Sequence, residues 1–161
     1  MIGLQITVVA KIEPTAFQIE QLQRTLLEYI RLVNSVVHEF MSASSAIKTS
    51  TKTVKAELPS ALKNQAIRDA MSVFRRYRKT RKQSILRKPV AIWNNQNWSI
   101  KDKELSFPVL VSGKSKRLFV SIRLTDYQQR LLQGKRGTLR ITQKSGKWMG
   151  QIAVEAHDSE T

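Results

Sequence analysis

The chain opens with a segment in which apolar and polar positions alternate. Between Gly3 and Ile12 the alternate positions are apolar: Leu4, Ile6, Val8 and Ala10. An alternation of period two, in a segment rich in β-branched residues, predicts a strand with one buried face. Glu13-Pro14-Thr15 ends this strand, and Thr15 is the expected N-cap of the helix that follows.

Two long segments then carry apolar residues every three or four positions. The first runs from Thr15 to about Ser42, with the stripe Ile19, Leu22, Leu26, Tyr29, Ile30, Val33, Val37 and Phe40. The second runs from Ser60, its expected N-cap, to about Lys82, with the stripe Leu62, Ala66, Ala70, Val73 and Tyr77. The two stripes predict a hairpin of amphipathic helices. The polar segment 42–57 between them predicts a loop or a short helical continuation, ordered by a ligand.

After Pro89 the pattern returns to short strands separated by polar turns. Turns are expected at Asn94–Asn97, Lys101–Glu104, Ser112–Lys114 and Lys144–Lys147. Thr125 is expected to cap a short helix that Gly134 ends. The order is one strand, two helices, then about five strands with a short helix. It predicts an α+β fold, a small antiparallel barrel with a helical excursion after its first strand.

The charge balance indicates which classes of partner the chain can bind. The chain of 161 residues is 41% hydrophobic, enough for a core, but 28 Lys and Arg face only 12 Asp and Glu, a net charge of +16. Such a field attracts polyanions, so nucleic acid is the first expected partner and an anionic membrane surface the second. No apolar run reaches the ~20 residues of a membrane span, and the N-terminus lacks the pattern of a signal peptide. We expect a soluble intracellular protein.

Much of this charge lies at the end of the second predicted helix. From Arg75 to Lys88 there is no acidic residue, and eight of fourteen positions are cations: Arg75, Arg76, Arg78, Lys79, Arg81, Lys82, Arg87 and Lys88. At helical spacing Arg75, Arg78, Lys79 and Lys82 share one face. A run of this kind is often only a solvated helix end, but its length favours contact with nucleic acid. Further cations along the strands, Arg117 and Arg123 among them, favour a structured RNA or a heteroduplex.

The chemistry of a catalytic site is missing from the sequence. Without cysteine the chain has no disulfide and no zinc ribbon, and its two histidines, His38 and His157, are far apart in sequence. Asp102 and Glu104 share a turn, where a solvated loop is the simpler interpretation than a metal site. We therefore assign no catalytic residue, no metal ligand and no cofactor, and we expect that this chain alone is not an enzyme.

The loop that contains Asn94, Asn97 and Trp98 fits a turn beside a core tryptophan or, alternatively, a base-reading and stacking contact.

Three segments resemble the N-terminal half of TnpB (OrfB), the transposon-encoded RNA-guided DNA nucleases related to type V CRISPR effectors. They are PTAFQIEQLQRTLLEYIRLVNSVV, LPSALKNQAIRDAMSVFRRYRK and GKWMGQIAVE, and together they span nearly the whole chain. The order and spacing of the three carry the resemblance more than any one of them does.

The resemblance implies a wedge domain, an oligonucleotide-binding-like (OB-like) antiparallel β-barrel, with a two-helix recognition lobe inserted after its first strand. The implied boundaries are 1–13 for the first wedge strand, 14–88 for the lobe, 89–156 for the barrel strands and 157–161 for the start of a linker. The basic run with Arg117 and Arg123 would bind the guide RNA. Lys63, Asn64, Gln65, Asn97, Trp98 and Ser99 would contact the short motif beside the DNA target.

The family's RuvC-like nuclease domain, with its catalytic carboxylates and its zinc ribbon, has no counterpart in this sequence. Mg and Zn are therefore expected only in that absent region. We expect a module that binds a structured guide RNA and target DNA, acting near the nucleoid of a prokaryotic cytoplasm. Two alternatives remain open: a stand-alone DNA-binding regulator, or one half of a split nuclease that a separate RuvC-bearing chain completes.

Overall fold

The computed structural model describes residues 3–43, 54–82 and 88–157. Seven strands form one antiparallel sheet: β1 (Gly3–Glu13), β2 (Val90–Trp93), β3 (Ser99–Lys101), β4 (Glu104–Val111), β5 (Lys114–Ile122), β6 (Lys135–Lys144) and β7 (Lys147–His157). The helices are α1 (Ala16–Ala43), α2 (Ser60–Thr80) and α3 (Asp126–Leu131). No helix in these ranges is long and apolar enough to cross a membrane.

The sheet curls into a half-barrel with β1 near its middle. Its strand order is β2-β6-β7-β1-β5-β4-β3. Along most of its length β1 pairs with β7, whereas only Ile12 and Glu13, at its end, pair with β5. One strand thus joins two halves of the sheet, although the two long helices separate it in sequence from all its partners. The predicted α+β class with an antiparallel sheet is confirmed at this level.

Tight turns set the register of the hairpins. At Ser112-Gly113 and at Ser145-Gly146 both residues have positive φ, with values of 50° and 79° and of 52° and 77°. Two successive positive φ angles are the mark of the type I′ turn, whose twist matches that of the flanking strands. Asp102 and Lys103 adopt the same conformation between β3 and β4. The predicted turns therefore fall where the sequence places them.

The predicted N-caps of α1 and α3 agree with the structure, Thr125 forming a capping box with Gln128 at the start of α3, whereas both ends of α2 differ from the prediction. Thr15 caps α1: its backbone N–H donates to Gln18 Oε1 at 2.9 Å, and Gln18 N–H donates to Thr15 Oγ1 at 3.3 Å. The predicted N-cap of α2 is wrong, because Pro59 takes that place in extended conformation and its carbonyl accepts the first N–H groups. Helix α2 also ends two residues before Lys82, since Arg81 turns left-handed with φ 57° and donates its N–H to Tyr77 O.

Both long helices share one apolar core with the sheet. Phe40 of α1 packs on Phe74 of α2 with ring centroids 5.6 Å apart, and Trp93 of β2 packs on Phe107 of β4 at 4.6 Å. The Trp93 indole N–H donates to Pro108 O at 3.0 Å, so this fully buried ring keeps its hydrogen bond. As a result α2 presents a fixed outward face beside the edge of the sheet.

Candidate nucleic-acid interface

The outward face of α2 is cationic from its middle to its end. Leu62, Ala66 and Ala70 point into the core, so helical geometry turns Arg68, Arg75 and Lys79 to the opposite side. All three cations are exposed. None of the three side chains has a hydrogen bond or a carboxylate partner within the described part of the chain. A polyanion would therefore meet charges that no internal acid neutralises.

The remaining predicted RNA contacts of this region differ in their placement. Arg76 and Arg78 are exposed on α2, and the Arg78 guanidinium lies 6.0 Å from the centroid of the Phe74 ring. The predicted helical face that includes Lys82 is wrong, because Arg81 and Lys82 follow the end of α2. Both are exposed there, as is Lys88 just before β2. Arg87 lies outside the described residues.

An amide-lined cavity of about 430 Å³ lies between the start of α2 and the loop Asn94–Asn97, which joins β2 to β3. Its lining residues are Ala61, Asn64, Gln65, Arg68, Asn94, Gln96 and Asn97. The lining contains no carboxylate, and its one cation, Arg68, also belongs to the outward face of α2. Amides that offer both a donor and an acceptor are suited to base edges. The cavity and the cationic face form a continuous surface, which we call the α2 surface.

The loop that closes this cavity is held by its own hydrogen bonds. Asn94 Oδ1 accepts from the Gln96 backbone N–H at 3.1 Å and from the Asn97 side-chain amide. The Asn97 backbone N–H donates to Asn94 O at 3.1 Å. Such an Asx-type turn fixes the backbone without help from neighbouring elements. The amides of the loop are therefore presented in a defined arrangement.

Trp98 supports the loop from beneath. Its side chain is only 6% exposed, and its indole N–H donates to Gly137 O at 2.9 Å. The Arg136 guanidinium lies 6.0 Å from the centroid of its ring. This placement matches the turn beside a core tryptophan and leaves little ring surface for a base. The neighbouring Ser99 is exposed on β3, opposite Ser106 of β4.

A buried tyrosine and a half-buried aspartate form a polar pair next to the cavity. Tyr29 of α1 is fully buried and its hydroxyl donates to Asp69 Oδ2, while Gln65 Nε2 donates to Asp69 Oδ1 at 3.2 Å. Burial, together with the Asp69 carboxylate, raises the pKa of Tyr29 far above its usual range. The tyrosine therefore stays neutral near neutral pH, and its hydroxyl proton is available to Asp69.

The two predicted RNA contacts on the strands are bound within the chain. Arg117 donates to Ser106 Oγ at 2.7 Å and to Ser106 O at 3.1 Å, which ties β5 to β4. Arg123 forms a 2.8 Å ion pair with Glu13, and that hydrogen bond lowers the pKa of the Glu13 carboxyl. Both arginines are exposed, yet each already has an internal partner.

A second, smaller cavity of about 130 Å³ lies beyond the same loop. Asn95 lines it together with Lys135, Arg136 and Gly137 from the start of β6, and with Gln5 and Glu155. Three residues of the segment 134–137 thus border this cavity. The register of β6 against β7 shifts between Arg136 and Leu139, so the ladder is interrupted at this place.

The structure brings together residues that the sequence leaves apart. Asn64 and Gln65 are more than 30 residues from Asn97, yet all three line one cavity, whereas Lys63 is not in its lining. Three lining residues were not predicted as ligand contacts: Ala61, Arg68 and Gln96. The helical period alone would have added Arg68, which lies one turn after Asn64. Among the described residues no group of three or more His, Cys, Asp or Glu is placed to hold a metal ion.

No family model matches this chain, and no curated protein is significantly similar to it. The resemblance to TnpB therefore depends on the three segments quoted above.

Proposed function

We propose that the chain is a nucleic-acid-binding module of the kind found in the N-terminal half of TnpB. In this proposal the half-barrel is an OB-like wedge, and α1 and α2 are a recognition lobe inserted after β1. Strand β1 precedes both helices, yet it pairs with strands that follow them in the chain, and this supports the division. Its ligands are a structured guide RNA and a DNA target.

The observation that carries the proposal is the continuity of the α2 surface. Unpaired cations run along one helix face and end at an amide-lined cavity without a carboxylate. Cations on a rigid helix hold a phosphate backbone irrespective of sequence, whereas amides discriminate between base edges. A solvated helix end explains the cations alone, but it gives no reason for the amides to converge beside them.

The binding mechanism follows from this arrangement. Arg75 and Lys79 would attract the backbone and release its counterions, so affinity should fall steeply with salt. The cavity would then read a base edge of the DNA next to the paired region, while guide–target pairing supplies the rest of the specificity. No bond is broken in this scheme, and the chain acts by holding its ligands in register.

The first experiment identifies the RNA. The chain is purified from its native host after a moderate salt wash, and the bound RNA is sequenced. One discrete, structured species supports a guide-binding function. Heterogeneous RNA, or none, contradicts it and favours a DNA-binding regulator, which a preference for duplex DNA over structured RNA at matched salt would then establish.

The second experiment locates the contact. Charge reversal at Arg68, Arg75 and Lys79, on the outward face of α2, should abolish binding of that RNA while the circular dichroism spectrum and the melting temperature stay unchanged. The matched control reverses Lys114, Lys116 and Lys147, which are exposed on the hairpins of the sheet. Equal losses from both sets would show that net charge, rather than the α2 surface, drives binding.

Mixing the chain with a RuvC-bearing chain and assaying Mg²⁺-dependent cleavage tests the split-nuclease alternative.

A further inference from the structure

The amide of Gln65 has a fixed orientation because of residues behind the cavity. Its Nε2 donates to Asp69 Oδ1 at 3.2 Å, and the other oxygen of Asp69 accepts from the hydroxyl of Tyr29. Tyr29 belongs to α1 and is fully buried, so it cannot follow a movement of the Gln65 side chain. The three side chains form a relay from the core to the cavity.

The chemistry of the relay decides which atoms of Gln65 are free. An ionised carboxylate only accepts hydrogen bonds, so the amide nitrogen, rather than the amide oxygen, must face Asp69. This leaves Oε1 and the second N–H without a partner among the described residues. No described side-chain polar atom is both buried and unpartnered, so Oε1 reaches solvent, and the open space that Gln65 lines is the cavity.

We infer that Tyr29 and Asp69 are positioning residues, which hold Gln65 with its carbonyl oxygen and one N–H turned to the cavity for an adenine edge. This inference rests on the proposed function. A parallel acceptor and donor on one amide match the N6 amino group and N7 of adenine in the major groove. Without the relay the amide would also present its reversed orientation, and a rotating amide discriminates poorly between bases.

A purely structural role makes a different prediction. Gln65 and Asp69 are one helical turn apart, and such a pair stabilises a helix slightly by itself. If that were its whole purpose, loss of Asp69 would change stability and leave base preference intact. A positioning role requires the reverse: the preference at one base position must change whenever the relay is broken.

The orientation itself can be tested on the free full-length chain by NMR. The side-chain amide signals of Gln65 should be resolved, with slow hydrogen exchange at the proton that faces Asp69. Tyr29→Phe and Asp69→Ala should each raise the hydrogen exchange rate of the Gln65 side-chain amide to that of an exposed glutamine. The exchange rate of the Asn64 side-chain amide should not change. A Gln65 amide that already averages in the wild type would overturn the inference whatever the protein binds.

The functional consequence is tested with a pool of duplex DNA that has a randomised central stretch. The sequences that bind the chain are selected at fixed salt in the presence of the copurified RNA. We expect adenine to be preferred at one position, and Gln65→Ala to reduce that preference about 5- to 100-fold. Asp69→Ala and Tyr29→Phe should weaken it at the same position. The double variant Gln65→Ala/Asp69→Ala should lose no more than Gln65→Ala alone. The control pair Asn64→Ala/Asp69→Ala should instead be additive.

The outcomes separate the inference from the proposed function. A wild type that selects a sequence, but keeps it in the Gln65 and Asp69 variants, overturns the inference and leaves the function standing. A wild type that retains neither RNA nor DNA overturns the function, and the NMR measurement then decides the orientation. Asp69→Ala variants that fail to fold are replaced by Tyr29→Phe, which keeps the ring in the core.

Discussion

The arginines of α2 and those of the strands are the same residue type in different situations. On the outward face of α2, the side chains of Arg68 and Arg75 have no partner among the described residues, whereas Arg117 is bound to Ser106 and Arg123 to Glu13. Both groups are exposed, so exposure does not separate them. What separates them is the supply of acceptors on neighbouring strands, which α2 lacks on its outer side. The position of internal acceptors thus decides which cations remain for an external anion.

The largest expected effect tests this contrast directly. The double variant Arg75→Gln/Lys79→Gln should lower the salt dependence of RNA binding, with the slope of log K against log salt smaller by roughly two. Arg117→Gln/Arg123→Gln removes the same charge and should change the slope by far less. The measurement is fluorescence anisotropy with the copurified RNA over a salt series. Equal slopes for the two variants would show that internal partners do not decide which arginines contact the RNA.

The opposite ranking is expected for stability. Arg117→Gln loses two hydrogen bonds that tie β5 to β4, which should lower the free energy of unfolding by roughly 1–2 kcal/mol. Arg75→Gln removes no side-chain hydrogen bond or ion pair to a described residue and should stay within about 0.5 kcal/mol of the wild type. Urea unfolding followed by tryptophan fluorescence measures both. An Arg117 variant as stable as the wild type would show that its hydrogen bonds are replaced by water at no net cost.

How far the sequence predicts this molecule depends on the range of the interactions involved. Periods of two and of 3.6 predict the β1 strand, the stripes of α1 and α2 and the hairpin turns, because each depends on neighbours in the chain. The same holds for Thr15, whose cap partner Gln18 is three residues away. The cap of α2 was missed because Pro59 supplies a backbone carbonyl, which no side-chain pattern records.

The candidate site was predictable in its parts but not in its assembly. A list of basic residues includes Arg117 and Arg75 alike, since the acceptor on Ser106 becomes visible only when β4 and β5 are paired. Nothing in the sequence marks Asp69 as a partner of Tyr29, because the two residues are 40 positions apart. The meeting of Gln65 with Asn97 likewise depends on how α2 packs beside the end of β2. These contacts are set by tertiary structure.

A smaller effect concerns the pH dependence of the free energy of unfolding, through a hydrogen bond to the segment just before α2. Burial tends to raise the pKa of Glu28, but hydrogen bonds from Arg31 and from the Glu57 backbone N–H outweigh it, so the net pKa is lowered. A carboxyl with a lowered folded pKa stabilises the protein above its unfolded pKa, and this contribution is lost as the pH falls through the folded value. Glu28→Gln should therefore flatten the fall of the free energy of unfolding below pH 4.5, the ordinary value for Glu. Urea titrations at several acidic pH values measure this fall, and an identical profile in the variant would contradict the assignment.

The smallest effect is expected when Arg123 loses its internal partner and so resembles the arginines of α2. Glu13→Gln removes the acceptor of Arg123 and leaves its guanidinium as free as those of α2. Because the pair is exposed, we expect no measurable change in melting temperature. RNA affinity should rise by about two-fold at low salt and less at high salt, since one more cation can meet the backbone. A matched variant, Glu20→Gln, frees Arg24 on the exposed side of α1, where it should have less effect if position matters as well as pairing. An increase of the same size in both variants would mean that the RNA responds to net charge alone, and the contrast between α2 and the strands would then be one of stability only.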